Sequence, residues 1–385
     1  MQTKDLSRFI VLIDSRGIIE FKETDTLKRH EDYGKKLQDV LPKSHLYIIT
    51  AATNVESKIS NKYLTQEFIK SNKRFSPKYI FKSVSIIKSL KSSQIVLVAG
   101  DPWEAGISAR AIQMLIKNRF GFKTPIQMQL HADITDSEWK SRSKVNGIRA
   151  KLAGFNLRKA DQIRLVSPNL KNEIVKKFGV EEKKLIVSPV ALNIPKNVDT
   201  FFATDRPKTI GFAGRFHEDR GLSDFLAYVK KISSVHSSLE IVLAGSGPDA
   251  SAFLNELYLS IPENRVQFLG YLHKDEMVNF WSKVGVYVST AKSESYGRSI
   301  REAAYFGIPV LGLPSNGFSE LVATNVDWIE ELSMQAEASV LKSQLLKLLN
   351  FSTDDSLRSL FIRNFELNTE ILVNSWLQIM PVSRT

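Results

Sequence analysis

Residues 95–99 read Ile-Val-Leu-Val-Ala, an unbroken apolar run in the first half of the chain. A strand with one face in water alternates apolar and polar residues, whereas an unbroken run is typical of a parallel strand that helices cover on both faces. Similar runs, separated by stretches of helical length, lie at Phe9–Asp14, Leu46–Thr50, Ile126–Leu130, Ile163–Ser167 and Leu185–Ser188. This repeated order predicts an α/β domain built on a doubly wound sheet.

A polar, Pro-containing stretch at residues 193–199 interrupts this pattern and is typical of a linker. The strand pattern then restarts, at Lys208–Ala213, Leu239–Ala244, Val266–Leu269, Val286–Ser289 and Val310–Leu313. We therefore predict a first Rossmann-like domain over residues 1–195, a second over residues 200–364, and a C-terminal helix of about 365–385 that packs back on the first. Because ligands bind at the carboxyl ends of such strands, we expect the two domains to face each other across a cleft.

The composition excludes several classes of protein. Of the 385 residues, 43% are hydrophobic and 24% charged, which is ordinary for a globular chain and excludes disordered, collagen-like and coiled-coil proteins. The absence of Cys excludes disulfide scaffolds, thiolate zinc sites and Cys nucleophiles. Charged residues interrupt the apolar runs of residues 1–22, so we predict neither a signal peptide nor a membrane span there. We expect a cytoplasmic protein.

The positive charge is concentrated in the first half. Residues 1–195 contain 35 Lys or Arg against 19 Asp or Glu, a net +16, whereas residues 196–385 have a net −4. Residues 69–94 contain basic and no acidic side chains, at Lys70, Lys73, Arg74, Lys78, Lys82, Lys88 and Lys91. This segment is predicted to include a helix after Pro77 with a solvated lysine face. The same face could lie on anionic lipid, at the inner side of the cytoplasmic membrane.

Residues 294–302 read Glu-Ser-Tyr-Gly-Arg-Ser-Ile-Arg-Glu and follow a predicted strand. We predict a short helix that begins near Gly297, carries Glu302 and ends at Gly307. The free N–H groups at such a helix start can bind an anion or sugar hydroxyls, and the carboxylates of Glu294 and Glu302 can hold different hydroxyls of one ligand. The alternative is a pair of solvated glutamates.

Residues 211–222 place two arginines, Arg215 and Arg220, on a Gly-flanked loop directly after the first strand of the second domain. Two guanidinium groups can clamp a diphosphate and offset its charge, a role that a divalent metal often performs. Two exposed loop arginines are the alternative for this segment taken alone. No D-x-D motif occurs in the chain, which argues against a metal-dependent sugar transferase of the other common fold.

The order of these motifs resembles the family-4 glycosyltransferases, which are retaining, use nucleotide sugars and have the GT-B fold. The resemblance rests on Gly214-Arg215 with Arg220-Gly221, Gly245-Ser246-Gly247-Pro248, Val266–Gly270 and the Glu294/Glu302 pair. Residues 101–106, 131–133 and 160–167 resemble the first domain of bacterial members. The resemblance therefore extends over nearly the whole chain.

The resemblance implies a role for each matching residue. Arg215 and Arg220 would bind the nucleotide diphosphate, and Glu302 would bind the ribose diol. The donor sugar would be bound by Glu294 and the backbone of Tyr296, Gly297 and Arg298. His131 would lie near the transferred sugar. Gly214 and Gly245 would shape the donor loops, and Asp101, Glu104 and Asp133 would lie on the acceptor side. We expect no cofactor and no metal, because the two arginines can offset the charge of the diphosphate. The basic first half favours a glycan or lipid-linked acceptor, and we expect a role in bacterial surface polysaccharide or glycolipid synthesis.

Some features depart from this pattern. The early loop of the family is usually Gly-rich, whereas residues 29–35, which we expect in that loop, read Arg-His-Glu-Asp-Tyr-Gly-Lys. Residues 245–250 match a nicotinamide fingerprint, but Glu263 precedes the next strand, whereas a ribose partner should lie at its far end. His131 could instead be a hydrogen-bonded histidine at a strand end.

Three functions other than sugar transfer are alternatives for this sequence. A sugar-nucleotide epimerase on the same fold would turn over the donor without an acceptor, and a phosphorylase would need a pyridoxal lysine. A basic nucleic-acid-binding protein is the alternative from another class. We expect no nucleic-acid partner, because the chain shows no recognition-helix or RNA-binding strand pattern and the specific motifs lie in the half with net charge −4.

Overall fold

A computed structural model describes residues 8–17, 25–53, 58–71, 76–190, 192, 206–352 and 356–381. The chain divides into two units. Unit 1 comprises Met1–Ala191 together with Glu366–Thr385, and unit 2 comprises Leu192–Phe365. Both units are α/β, as their sequences predicted.

The described residues of unit 1 form an eight-stranded sheet. Its strands are β1 (Arg8–Asp14), β2 (Ser44–Ala52), β3 (Ile59–Ser60), β4 (Leu64–Lys70), β5 (Gln94–Ala99), β6 (Ile126–Leu130), β7 (Gln162–Leu165) and β8 (Leu185–Val187). They are arranged in the order β3-β4-β2-β1-β5-β6-β7-β8, with every neighbouring pair parallel except β3 and β4. The central strand β5 is the unbroken apolar run, and five of its six residues are buried.

Helices cover both faces of this sheet. They are α1 (Asp25–Val40), α2 (Pro77–Ser89), α3 (Glu104–Phe120), α4 (Ser137–Ser141), α5 (Lys144–Lys159) and α6 (Pro168–Phe178). One face packs against α1 and the C-terminal helix, Ser356–Gln378, through a cluster that contains Leu12, Leu37 and Trp376. Right-handed crossovers place α2, α3, α5 and α6 on the opposite face.

The structure corrects one expectation for unit 1 and confirms another. Residues 29–35 are not a loop, because they lie within α1, where Tyr33 and Leu37 are buried in the core. The helix after Pro77 is confirmed as α2, which precedes β5. Lys70 is the exposed last residue of β4, whereas Lys73 and Arg74 lie outside the described residues.

Unit 2 contains a six-stranded parallel sheet. Its strands are β9 (Thr209–Ala213), β10 (Glu240–Ala244), β11 (Val266–Phe268), β12 (Val286–Ser289), β13 (Val310–Gly312) and β14 (Ile329–Glu331). The order is β11-β10-β9-β12-β13-β14, so the chain moves outward from β9 in one direction and from β12 in the other. Ligands of doubly wound sheets bind outside the carboxyl ends of the strands at such a reversal. A ligand-binding site is therefore expected at the carboxyl ends of β9 and β12.

Six helices precede the C-terminal helix among the described residues of unit 2: α7 (Leu222–Ser233), α8 (Ala250–Tyr258), α9 (Met277–Trp281), α10 (Arg298–Tyr305), α11 (Asn316–Val322) and α12 (Ala338–Leu349). Helix α10 is the predicted short helix that carries Glu302, and Gly307 follows it with a left-handed φ of 70°. Among the described residues of both units, no helix is long and apolar enough to cross a membrane.

Candidate functional site

The site in unit 2 is formed by the loops that follow β9 and β12. Gly211 of β9 pairs with Tyr287 of β12, and the Tyr287 hydroxyl donates to the Ala213 carbonyl, 3.0 Å away. Further along, the Thr290 hydroxyl donates to the Gly221 carbonyl at 2.8 Å. These buried hydrogen bonds hold the two loops side by side.

The loop after β9 donates backbone hydrogen bonds to the end of β10 and to the loop that follows it. The Gly214 N–H donates to the Ala244 carbonyl at 3.0 Å, and the Phe216 N–H donates to the Ser246 carbonyl at 2.9 Å. Gly245 has φ of 135°, and a Cβ there would lie 1.8 Å from the Gly214 carbonyl oxygen. Only glycine permits this close approach. The structure thus places Gly214 and Gly245 together at the base of the site.

Arg220 and Glu294 form an ion pair between the two site loops. Arg220 Nη1 lies 2.7 Å from Glu294 Oε2, and the two side chains are 24% and 15% exposed. Burial is the largest single influence and lowers the pKa of the guanidinium, but the charge and hydrogen bond of Glu294, together with the charges of Tyr287 and Asp219, outweigh burial and raise that pKa. Arg220 is therefore a permanent cation, fixed in direction by a carboxylate 74 residues away in the chain.

Arg215 has a different environment from Arg220. Its side chain is 71% exposed and lies 2.7 Å from Asp219, four residues later on the same loop. The same role is expected for both arginines, but of the two only Arg220 is partly buried and bridges to the loop after β12. Asp219 was not singled out from the sequence, since an acid between two arginines is common on exposed loops.

Helix α10 begins at the site without a side-chain cap. Gly297 is its N-cap, with φ of 73°, and as a glycine it supplies no side-chain cap. Helix α11 differs, because the Ser315 hydroxyl accepts from the Phe318 N–H at its start. The N-cap residue of α10 thus takes up none of the first-turn N–H groups through a side chain, and a helix start of this kind favours an anion.

Arg298 and Glu302, two further predicted site residues, lie on α10. Glu302 is one turn into the helix, with its carboxylate 3.5 Å from the Arg298 guanidinium. Glu294 Cγ would lie 3.2 Å from a Cβ at Gly297, so the first carboxylate stands at the helix start. The structure therefore brings Glu294, Gly297, Arg298 and Glu302 together around one helix N-terminus.

A supporting network, which sequence reasoning missed, fixes the loop that carries Glu294 and Tyr296. Arg301 is buried, donates to the Gly317 carbonyl at 3.1 Å and lies 3.2 Å from Glu320. Its guanidinium stacks 4.0 Å above the Tyr296 ring. Burial lowers the pKa of Arg301 and raises the pKa of Tyr296.

Gly317, at the start of α11, contacts the same loop directly. Its N–H donates to the Glu294 carbonyl at 2.7 Å. A Cβ at Gly317 would lie 2.7 Å from both the N and C atoms of Tyr296, so only glycine fits against this backbone. No spacing rule connects Gly317 with Glu294, so the sequence does not predict their contact. The one signal for this network in the sequence is Arg301, a basic residue in the predicted short helix.

His131 follows β6 in unit 1. Its Nε2 lies 3.2 Å from Gln129 Oε1, and the residue keeps contact with solvent. Desolvation of the ring by the protein around it, together with the positive charges of Arg164 and Arg29, lowers the pKa of His131 to about 3. Desolvation and the neighbouring positive charges both favour the uncharged ring, so the imidazole is neutral near pH 7.

The carboxylates expected on the acceptor side are engaged in local structure. Asp133 is buried, and its Oδ1 accepts hydrogen bonds from the Thr135 N–H, the Thr135 hydroxyl and the Asp136 N–H. Such a carboxylate stabilises the loop itself.

Asp101 and Glu104 act at the start of α3. Asp101 Oδ1 accepts from the N–H groups of Trp103 and Ala105, and Arg16 lies 3.5 Å from the other oxygen. Burial raises the pKa of Asp101 to about 6, although Arg16 opposes the shift. Glu104 forms an ion pair with Arg149 at 2.5 Å.

The geometry of the unit 2 site defines what it can bind. A fixed cation, an uncapped helix start and two carboxylates converge at the ends of β9 and β12, which suits an anion linked to a hydroxyl-rich group. Among the described residues, no group of three or more His, Asp or Glu side chains is placed to hold a metal ion.

Residues 193–357 match the family model described as glycosyl transferases group 1. The matched range contains both site loops, α10 and Gly317. Two curated relatives are 2-deoxystreptamine N-acetyl-D-glucosaminyltransferase of Niallia circulans and the gpi3 subunit of phosphatidylinositol N-acetylglucosaminyltransferase of Schizosaccharomyces pombe. The first is 23% identical over 39% of this chain and 39% of its own length. The second is 24% identical over 46% of this chain and 39% of its own length. The chain thus matches about two fifths of each.

The fold is shared with a solved structure over almost its full length. The structure of HepE from Anabaena in complex with UDP and glucose has a TM-score of 0.68 at 14% identity, covering 97% of this chain and all of the other. The chain has the α/β GT-B fold. The family match and the relatives support a group 1 glycosyltransferase.

Proposed function

We propose that the protein transfers a sugar from a nucleoside-diphosphate sugar, held by unit 2, to a glycan or lipid-linked acceptor. One observation carries the proposal: the Arg220–Glu294 pair, at 2.7 Å, stands beside the uncapped start of α10 where the sheet order reverses. This arrangement lies inside the range that matches the glycosyltransferase model. A diphosphate attached to a sugar supplies both the anion and the hydroxyls that such a site suits.

The charge arrangement explains how the site would promote transfer. When the bond between the sugar and the diphosphate breaks, negative charge builds on the phosphate oxygens. Arg220 and the first N–H groups of α10 are already oriented, so they stabilise that charge without reorganising. A single preorganised donor of this kind contributes about 3–4 kcal/mol to catalysis.

The position of Arg220 depends on residues that contact no phosphate in this scheme. Glu294 Oε2 fixes the guanidinium, Gly317 holds the Glu294 backbone, and Arg301 holds Gly317 and Tyr296. We propose that Glu294 Oε1 binds a hydroxyl of the donor sugar while Oε2 stays on Arg220. Glu302, one turn into α10, would bind the ribose diol.

We propose that the anomeric configuration is retained and that the reaction needs no metal or other cofactor. Retention rests on the resemblance to family-4 enzymes, in which the departing phosphate can take the acceptor proton. Metal independence rests on Arg220 and the helix start as a complete set of positive groups for the diphosphate.

A transfer assay tests the proposal. The full chain is incubated with a panel of nucleoside-diphosphate sugars, starting with UDP-glucose because HepE was solved with UDP and glucose. Release of the nucleoside diphosphate, followed by NMR of the product anomer, gives donor and stereochemistry. Activity should persist in EDTA, and complete loss that metal restores would contradict metal independence. Turnover of the donor into an isomer without acceptor would indicate an epimerase instead.

A further inference from the structure

Helix α5 presents an unusual outer face. Eight of its residues are exposed, and each of them is either apolar or basic. The apolar ones are Val145, Ile148, Leu152 and Phe155, and the basic ones are Lys144, Lys151, Arg158 and Lys159. The four apolar side chains are 37–60% exposed, and the whole helix contains no Asp or Glu. A surface helix normally turns its apolar residues inward.

The apolar residues form one stripe. At 100° per residue, the four Cα positions fall within an arc of about 80°, and three of the basic residues flank that arc on one side. Lys159, at the end of the stripe, places its Nζ 4.0 Å above the Phe155 ring. The helix packs on unit 1 through another face, where Ala150, Ala153 and Leu157 are buried. The exposed stripe is thus additional to the packing face.

The neighbouring helices of the same layer share this character. Phe81 of α2 and Met114 of α3 are 51% and 60% exposed. Helices α2, α3, α5 and α6 together contain 14 Lys or Arg against 2 Asp or Glu. Helix α1, on the opposite face of the sheet, contains four of each sign. Exposed apolar side chains and positive charge therefore coincide on one side of unit 1.

We propose that this side of unit 1 docks on an anionic lipid bilayer, with the stripe of α5 inserted at the boundary between headgroups and acyl chains. A partner bound through apolar contacts alone would not account for the one-sided charge, and a nucleic acid would not account for the stripe. An anionic bilayer matches both features. The inference does not depend on the proposed sugar transfer, and it places the main contact on α5 rather than on residues 69–94.

Vesicle sedimentation at low salt tests the docking. The full chain is mixed with phosphatidylcholine vesicles that contain either no anionic lipid or about one third phosphatidylglycerol. The wild type should bind the anionic vesicles and be released by high salt. The variant V145S/I148S/L152S/F155S should bind at least roughly tenfold more weakly, because it loses four apolar contacts. The variant K144Q/K151Q/R158Q/K159Q should also bind at least roughly tenfold more weakly, since each basic residue contributes about fivefold.

A matched control removes exposed apolar side chains elsewhere. Leu259, Tyr271 and Val340 of unit 2 are 56–85% exposed, and L259S/Y271S/V340S should bind vesicles as the wild type does. Melting curves of each variant show that it is folded, which is expected because every substituted side chain is exposed.

The absence of native Cys allows a second measurement without multiple substitution. Ile148→Cys and Leu259→Cys are each labelled with a polarity-sensitive fluorophore. Anionic vesicles should shift the emission of the label at 148 to shorter wavelength and leave the label at 259 unchanged. Equal shifts at both sites, no binding to anionic vesicles, or unchanged binding of the α5 serine variant would overturn the proposal. So would a wild-type dimer that the serine substitutions dissociate while vesicles bind neither form.

Discussion

Gly317→Ala tests whether the backbone of the loop after β12 must be held where the structure places it. The added Cβ would lie 2.7 Å from the N and C atoms of Tyr296. Ordinary van der Waals separation is about 3.5 Å, so this loop, which carries Glu294, must move by about 0.8 Å. Overpacking of this kind costs about 1–3 kcal/mol of unfolding free energy.

The displacement has a larger effect on the reaction than on stability. Glu294 fixes Arg220 through a 2.7 Å contact, so a shift of the loop moves both side chains away from the diphosphate. A misplacement of about 1 Å can cost roughly a hundredfold in rate, so we expect kcat for sugar transfer to fall between about tenfold and a hundredfold. Steady-state kinetics with the best donor of the panel, and thermal melts of the same preparations, measure the two effects.

Gly147→Ala is the matched control. A Cβ at Gly147 meets nothing within 4 Å, and this helix position does not need a left-handed φ. Because Ala favours helix over Gly by about 1 kcal/mol, the control should be slightly more stable and fully active. If Gly317→Ala kept the wild-type kcat in a folded protein, the reasoning on the loop position would be refuted.

The remaining predictions concern single side chains. Arg220→Lys keeps the charge but loses the planar fork, so kcat/KM should fall about 10- to 100-fold; an equal loss in Arg215→Lys would show that the exposed arginine matters as much. Glu302→Ala should lower kcat/KM by roughly 10- to 150-fold, the equivalent of one charged hydrogen bond to ligand, with little change in melting temperature. Burial raises the pKa of Asp101 from 3.8 to about 6, so the folded state favours the protonated carboxyl, and this stabilisation is present below pH 4 and lost as pH rises through 6. Between pH 4 and pH 7, the free energy of unfolding of the wild type, measured by urea titration, should fall by about 2–3 kcal/mol relative to that of Asp101→Asn. If the two proteins changed in stability equally with pH, a raised pKa of the buried Asp101 carboxyl would be contradicted.

Strands with continuous apolar sequence could be predicted, and strands with polar sequence could not. Residues 126–130 and 286–289 have the predicted bounds, because burial on both faces leaves an unbroken apolar run. Strand β4 reads Leu-Thr-Gln-Glu-Phe-Ile-Lys and was missed, since its buried Gln66 is satisfied by a hydrogen bond to Thr50 rather than by apolar packing. Strand β14 was missed because two of its three residues are Glu.

The candidate site shows the same limit. Loops and helix starts follow from local sequence, so Gly297 could be placed at the start of α10 and Glu302 within it. Pairing across the sheet could not be predicted, because the Arg220–Glu294 contact joins residues 74 apart. A carboxylate engaged in its own loop, such as Asp133, has the same sequence signature as one that faces a ligand.

If unit 2 binds a nucleoside diphosphate through Arg220 and the start of α10, a panel of nucleoside diphosphates should stabilise the protein in thermal melts. A ligand at about a hundred times its Kd stabilises the folded state by about 2.7 kcal/mol. For a unit of this size, we expect at least one of UDP, GDP, ADP or dTDP to raise the Tm by roughly 5–10 °C. The shift should be absent in Arg220→Met. No shift with any of the four, or the same shift in Arg220→Met, would contradict the account.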